Sequence, residues 1–268
     1  MGKRGKALTV FLLLVGTNPW LPAFAGRGRP APQQGNLPAE QPFFDAVRQN
    51  MARASREQFR YAYKERRTEI HTNPFGRLGT GDVLLYDVKP GPEPTVTFRT
   101  LLERNGRSVP NTRPEKVERK VRTEGPSAVD DTVAALQFSI DRREHVQGRD
   151  LIVVRFEPKA TAKPQTREGK LARTFSGYIW VDEAAREVTR VEATAVDDLS
   201  YGLGLIARIS KGTVVTLIRE RIDDRIWLPT STKFKASGRA LLALRKINFD
   251  FAVEWFDYRR ASPATASP

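Results

Sequence analysis

From Thr174 to Tyr258 the chain alternates apolar and polar positions in successive runs. Phe175, Gly177, Ile179 and Val181 fall on one side of the first run; Ser176, Tyr178, Trp180 and Asp182 fall on the other. Period two with β-branched and aromatic residues predicts a strand. Asp182–Arg186 is a short polar break, and Val188–Val196 resumes the alternation, so the two runs predict a hairpin. In the second run Val191, Ala193 and Ala195 share a face opposite Arg190, Glu192 and Thr194. Thr213–Ile222 follows, closed by Asp223-Asp224 as a turn, and then Ile226–Ala236. Pro229 places the start of that last run at an edge or a bulge, because proline has no N–H for a ladder. Ile247–Tyr258 has the clearest alternation: Ile247, Phe249, Phe251, Val253 and Trp255 against Asn248, Asp250 and Glu254. Between these runs, Asp197–Ser210 sets Gly202 and Gly204 among Leu199, Leu203, Leu205, Ile206 and Ile209, a pattern closer to a lid or helix-loop than to a strand.

The N-terminal half shows the same period with helices added. Phe43, Phe44, Val47 and Met51 recur at helical spacing and predict a helix lying against the sheet. Strands are predicted over Phe59–Ile70, Asp82–Val88 and Thr95–Leu102, with the proline-rich Pro90–Pro94 between the last two and Asn105-Gly106 as a tight turn. Thr112 and Glu115 have capping-box spacing and Pro114 sits in a first turn, which predicts a helix to about Arg122 with only Val117 and Val121 on its apolar face. Val129, Val133 and Leu136 predict a second short helix. Phe138–Ile140 and Leu151–Phe156 read as a strand pair turning near Gln147-Gly148, and Lys159–Ala172 as a polar loop. A sheet with one apolar face must cover it with a second sheet, with helices or with a ligand.

The first 25 residues change the address. Lys3, Arg4 and Lys6 precede the apolar Ala7–Gly16, which is too short for a membrane span, and Ala23-Phe24-Ala25 is a small-x-small cleavage site. Residues 1–25 are therefore expected to be an export signal that leaves a periplasmic chain. Residues 26–42, rich in Pro, Gly and Gln, read as a disordered spacer, 43–258 as one β domain, and 259–268 as a disordered tail. The chain has no cysteine, so neither disulfides nor cysteine metal ligands hold it together. The net charge of +14 falls to +11 without Lys3, Arg4 and Lys6 of the expected signal, and still favours an anionic partner, such as an anionic membrane surface or an acidic envelope protein. Nucleic acid is not expected for an exported chain.

Candidate chemistry is sparse. His71 and His145 are the only histidines and lie far apart, with no metal-site spacing. Asp130-Asp131, Asp197-Asp198 and Asp223-Asp224 read as turn or cap residues, since neighbours on a strand point to opposite faces. There is no GxSxG, no SxxK and no phosphate loop. No catalytic residue, metal site or cofactor is expected. Arg60, Arg66, Arg67, Arg99 and Arg104 recur in the early strands, as a binding stripe or as a solvated face.

Gly177-Tyr178-Ile179-Trp180-Val181-Asp182, then Arg190-Val191-Glu192, then Ile226-Trp227-Leu228-Pro229 resemble the outer-membrane lipoprotein-sorting proteins of the LolA/LolB-like family. The order of signal, helix, strands, inserted helices and closing strands is similar as well. The resemblance implies an open antiparallel half-barrel, of about ten strands on the runs counted here, with a few helices over its concave face. It implies a non-catalytic carrier without cofactor, its partners being lipoprotein acyl chains or lipid. On that reading Ile179, Val181, Val191, Val215, Leu217, Phe249, Phe251, Val253 and Trp255 line the hollow, or fill an ordinary core. Leu203, Leu205, Ile206 and Ile209 form its lid. The alternative function is an envelope sensor or assembly module that binds another protein through its basic face.

Overall fold

The computed structural model describes residues 37–72, 78–118, 128–201, 207–209, 211–224, 226–239 and 246–261. The expected export signal, most of the spacer and most of the tail lie outside them, as do Leu203, Leu205 and Ile206. Fourteen strands and three helices occur in the order α1 (Glu40–Glu57), β1 (Tyr61–Thr72), β2 (Leu78–Pro90), β3 (Val96–Arg104), β4 (Arg107–Ser108), β5 (Glu115–Glu118), α2 (Ala128–Ala135), β6 (Leu136–Val146), β7 (Arg149–Pro158), α3 (Arg167–Ala172), β8 (Phe175–Asp182), β9 (Glu187–Ala195), β10 (Leu199–Tyr201), β11 (Ala207–Ile209), β12 (Val214–Asp223), β13 (Ile226–Arg239) and β14 (Lys246–Arg260) among the described residues.

Twelve strands make one open antiparallel sheet in the order β4-β3-β2-β1-β14-β13-β12-β9-β8-β7-β6, with β5 added on β3. The sheet does not close on itself: β6 and the β4–β5 side are its ends. Two meanders are stitched together by the pairing of the first strand with the last, where Glu65 faces Trp255 and Arg67 faces Val253. Register carries one face across seven strands: Ile140, Val154, Ile179, Val191, Leu217, Thr232 and Val253 are successive cross-strand partners. Directly opposed residues point to the same side, so this row and its neighbour, Phe138, Phe156, Gly177, Ala193, Val215, Phe234 and Phe251, form the concave face. On the other face Tyr178 and Trp180 stack at 6.3 Å, Arg190 lies over the Trp180 ring, and Arg66 pairs with Glu254.

Local chemistry explains the turns. Asn105-Gly106 and Gln147-Gly148 all have positive φ, the two-residue hairpin geometry that the asparagine–glycine signal predicts. Bulges bend the strands. One falls between Trp180 and Val181, where the partner steps from Arg190 to Val188; the extra residue, Thr189, donates its hydroxyl to the Trp180 carbonyl. Val188 and Val191, three apart, thereby reach the same concave side. Another falls beside Pro229, whose partner is Arg219 while Ser231 pairs with Ile218. Pro229 thus marks a bulge in an interior strand rather than an edge.

Three expectations need correction. The segment from Thr112 is not helical through its described part: Glu115–Glu118 is β5, pairing Val117 with Thr97 on the free side of β3. The Thr112 hydroxyl donates to the Val109 carbonyl instead of capping a helix. Too few apolar residues at helical spacing left an exposed sheet edge as the better partner. Within the expected loop 159–172, Arg167–Ala172 is a helix, capped by Thr166, whose hydroxyl accepts from the Gly169 N–H at 3.0 Å. The Asp197–Ser210 insert is a hairpin at its base, with Leu199 opposite Ile209, not a helix-loop.

Candidate functional site

The helices cover only part of the concave face. α1 is pinned at both ends. The Glu40 carboxylate accepts from the Ile140 N–H at 2.8 Å, fixing the start of the helix to β6. Toward its end, the Asn50 amide donates to the carbonyls of Ala185 and Arg186 in the β8–β9 turn, and Arg53 pairs with Glu187 at 3.3 Å. Pro42 sits in the first turn, where its missing N–H costs nothing. Phe43 is buried against Ile152, Val154, Val181 and Val188, while Phe44, Val47 and Met51 face the sheet beside it.

α2 and α3 form a second unit, joined by one carboxylate. Asp131 accepts from the backbone N–H groups of Gln165 and Thr166 and from the Thr166 hydroxyl, the last two at 2.6 Å. The approach is close enough that a Cβ on Gly169 would lie 2.3 Å from an Asp131 oxygen. Asp130 and Asp131 fall in the first turn of α2, as a helix-start reading expects, but Asp131 extends its carboxylate to the loop ahead of α3. Asp130 reaches the other way, to Arg48 of α1 at 3.7 Å.

Between α1, the α2–α3 unit and the strands β6–β9 and β12 lies a cavity of about 610 Å³. Its floor is Val154, Phe156, Ile179, Val181, Val188, Val191, Ala193, Val215 and Leu217; its roof is Phe44, Val47 and Met51 from α1, Val129 and Val133 from α2, and Ala172 from α3. Phe138 and Phe175 close the sides. The apolar floor is continuous because cross-strand register sets valines and leucines side by side. Polar residues at the wall come only from the helices: Gln41, Asp45, Arg48, Thr132 and Glu168.

Five of the nine residues expected to line a hollow, Ile179, Val181, Val191, Val215 and Leu217, sit in this wall. Phe251, Val253 and Trp255 do not. They form a separate cluster with Tyr63, Phe234 and Tyr258, farther along the same face. There the side chains pack on one another. Glu65 accepts from Arg99 at 2.6 Å, from Arg67 at 3.2 Å and from the Trp255 indole at 3.2 Å. Arg99 lies 4.2 Å above the Tyr86 ring. Burial pushes the Tyr63, Tyr86 and Tyr258 phenols up. Phe249 is on β14 opposite Ala236, with its side chain outside the described set; of the expected lid, only the backbone of Ile209 is described.

Sequence reasoning did not assign the helical half of the wall. The periodicity of Phe44, Val47 and Met51, and of Val129, Val133 and Leu136, was the available signal; Thr166 before Arg167–Ala172 was the weak one for α3. The acidic pairs act as turn residues: Asp198 accepts from the Lys211 N–H, and Asp223 accepts from the Ile226 N–H and the Tyr61 hydroxyl. His145 sits 2.9 Å from Asp150 on an exposed hairpin. Among the described residues no group of three His, Cys, Asp or Glu side chains is arranged to hold a metal, and no helix is long and apolar enough to cross a membrane. The early arginines are engaged: Arg60 with Glu57, Arg66 with Glu254, Arg67 and Arg99 with Glu65, Arg104 with Asp82.

No family model matches the chain, and no curated protein matches it. Solved structures do. A LolA superfamily protein from Nitrosomonas europaea is 13% identical, with 80% of this chain and 94% of that one covered at a TM-score of 0.32. An outer-membrane lipoprotein-sorting protein domain from Vibrio parahaemolyticus is 11% identical, covering 83% and 93% at 0.36. A DUF1329 family protein from Desulfovibrio piger is 14% identical, covering 84% and 94% at 0.34. Each of these is a likeness in structure at under 15% identity.

Proposed function

We propose that the protein is a non-catalytic binding protein of the cell envelope, exported by its first 25 residues, that shelters the acyl part of a lipid or lipidated ligand. The observation that carries this reading is the cavity: about 610 Å³, with a floor drawn from four strands and no polar residue among the described residues of that floor. That volume lies within the range of roughly 300–1,000 Å³ typical of small-molecule sites. Each methylene withdrawn from water contributes about 0.8 kcal/mol, so an apolar floor binds an acyl chain without any specific polar contact. The alternative, docking of another protein through the arginine-bearing face, has less support, because the arginines it invokes are spent on neighbouring carboxylates.

Native mass spectrometry of protein purified from the membrane fraction, with titration of a fluorescent acyl probe, tests the proposal. A lipid adduct and saturable probe uptake are expected. Protein recovered without lipid that also takes up no probe sinks the carrier reading.

A further inference from the structure

The cavity wall is divided chemically. Among the described residues, every strand residue in it is apolar and its polar residues sit on the helices. A guest with a tail and a head therefore has one orientation available: tail on the sheet, head at the junction of α1, α2 and α3. At that junction Gln41, Asp45 and Arg48 follow one another along α1 at helical spacing, Thr132 comes from α2 and Glu168 from the first turn of α3.

The charge there runs against that of the whole chain. The molecule carries +14, yet of the charged residues in the cavity wall, among the described residues, two are acidic, Asp45 and Glu168, and one is basic, Arg48. Arg48 is already opposed by Asp45 at 3.8 Å and by Asp130 at 3.7 Å. Two carboxylates thus stand within 4 Å of the one guanidinium, and Glu168 is a further acid in the same wall. Beside a low-dielectric wall such an imbalance is felt more strongly than in open water. The Thr132 hydroxyl is buried and has no hydrogen-bond partner among the described residues. A helical threonine commonly returns its hydroxyl to the carbonyl one turn back; this one does not.

We propose that the cavity discriminates by head-group charge: at equal chain length it takes amphiphiles with a cationic or neutral hydrogen-bonding head in preference to those with an anionic head. This rests on the acyl-site reading above and adds the class of ligand. Net basicity of the chain, read by itself, points the other way, which makes the two expectations separable.

The test compares three probes of one chain length on the full protein: lauric acid, its monoglyceride and dodecyltrimethylammonium, each displacing a fluorescent acyl probe at low salt. Laurate is expected to bind at least about tenfold weaker than the monoglyceride, with the ammonium probe the tightest, and the spread is expected to shrink as salt rises. In the Asp45→Asn/Glu168→Gln variant the ratio of laurate to monoglyceride affinity should approach one. In Arg48→Gln it should widen. Equal binding of all three probes to the unaltered protein, or tightest binding of laurate, overturns charge selection and leaves the acyl site standing. Failure of all three to bind overturns the acyl site itself. The comparison on unaltered protein does not depend on how well any variant folds.

Discussion

Arg219 and Glu187 meet in the interior, with the guanidinium Nη1 3.2 Å from the carboxylate Oε2 and both side chains at most 4% exposed. The pair is tied on every side. Arg219 also donates to the carbonyls of Trp227 and Val188, and its Nη1 lies 2.9 Å from the Met51 sulfur, while Glu187 takes a second ion pair from Arg53. One contact thus joins β9, β12, β13 and α1, directly behind the cavity. Burial pushes the Arg219 guanidinium down, and Glu187 opposes that shift.

Breaking this pair from the Arg219 side leaves the buried Glu187 with only the half-exposed Arg53 to balance it. Arg219→Ala is expected to cost about 3–5 kcal/mol of stability, read as a lower urea midpoint. Replacing both partners, Arg219→Met with Glu187→Leu, should recover most of the loss, because no charge then remains to be desolvated. A double variant as unstable as the single one would contradict this.

Alkaline pH should destabilise the fold through its tyrosines. The Tyr61 phenol, buried and donating to Asp223 at 2.5 Å, is pushed up to about 12 from the ordinary 10.0. Tyr63 and Tyr258 are also raised by burial. The folded state favours the neutral phenol, so this stabilisation is complete below pH 10 and is lost as pH climbs from 10 toward 12. Urea midpoints should therefore fall across that window. Tyr61→Phe should soften the fall, and a midpoint independent of pH there would count against the assignment.

Gly177 should not tolerate a side chain. A Cβ at that position would lie 1.9 Å from the Glu192 carbonyl oxygen and 2.9 Å from the Ala193 Cα. Gly177→Ala is expected to force β8 and β9 apart, at a cost of about 1–3 kcal/mol. Because Ile179 and Val191 pair two residues away, acyl-probe affinity should drop with stability. Thermal or urea unfolding beside a probe titration checks both effects.

The two halves of the concave face should respond in opposite ways. Ala193 lines the cavity, so Ala193→Phe should fill it and suppress acyl-probe uptake with little loss of stability. Trp255 packs in the separate cluster and donates to Glu65, so Trp255→Ala should cost about 3–5 kcal/mol and leave probe uptake intact under native conditions. Loss of uptake in the tryptophan variant alone would place the site in the wrong half.

Much of the fold was legible in the chain because its cues are local. Alternation fixed β8, β9, β12 and β14 nearly to their ends, and Asn105-Gly106 and Gln147-Gly148 marked the β3–β4 and β6–β7 turns through backbone conformations that few residues adopt. The segment at Thr112 misled for an equally local reason: Thr112, Pro114 and Glu115 carry a helix start without enough apolar surface behind it. Nothing near Glu115 in sequence reveals that the free side of β3 waits beside it.

By itself the sequence determined which side of each strand is oily, since that depends only on a residue and its second neighbours. Where along the oily face space is left over was decided by tertiary structure. Phe251 and Ile179 look alike as alternating positions, yet Phe251 has Phe234 and Tyr63 to pack against, whereas Ile179 looks across a cavity to helices held off by their own anchors. Unfilled volume is the difference between a wall and everything brought to cover it, and the covering pieces come from residues 100 or more positions apart, as Glu40 to Ile140 and Asn50 to Arg186 are.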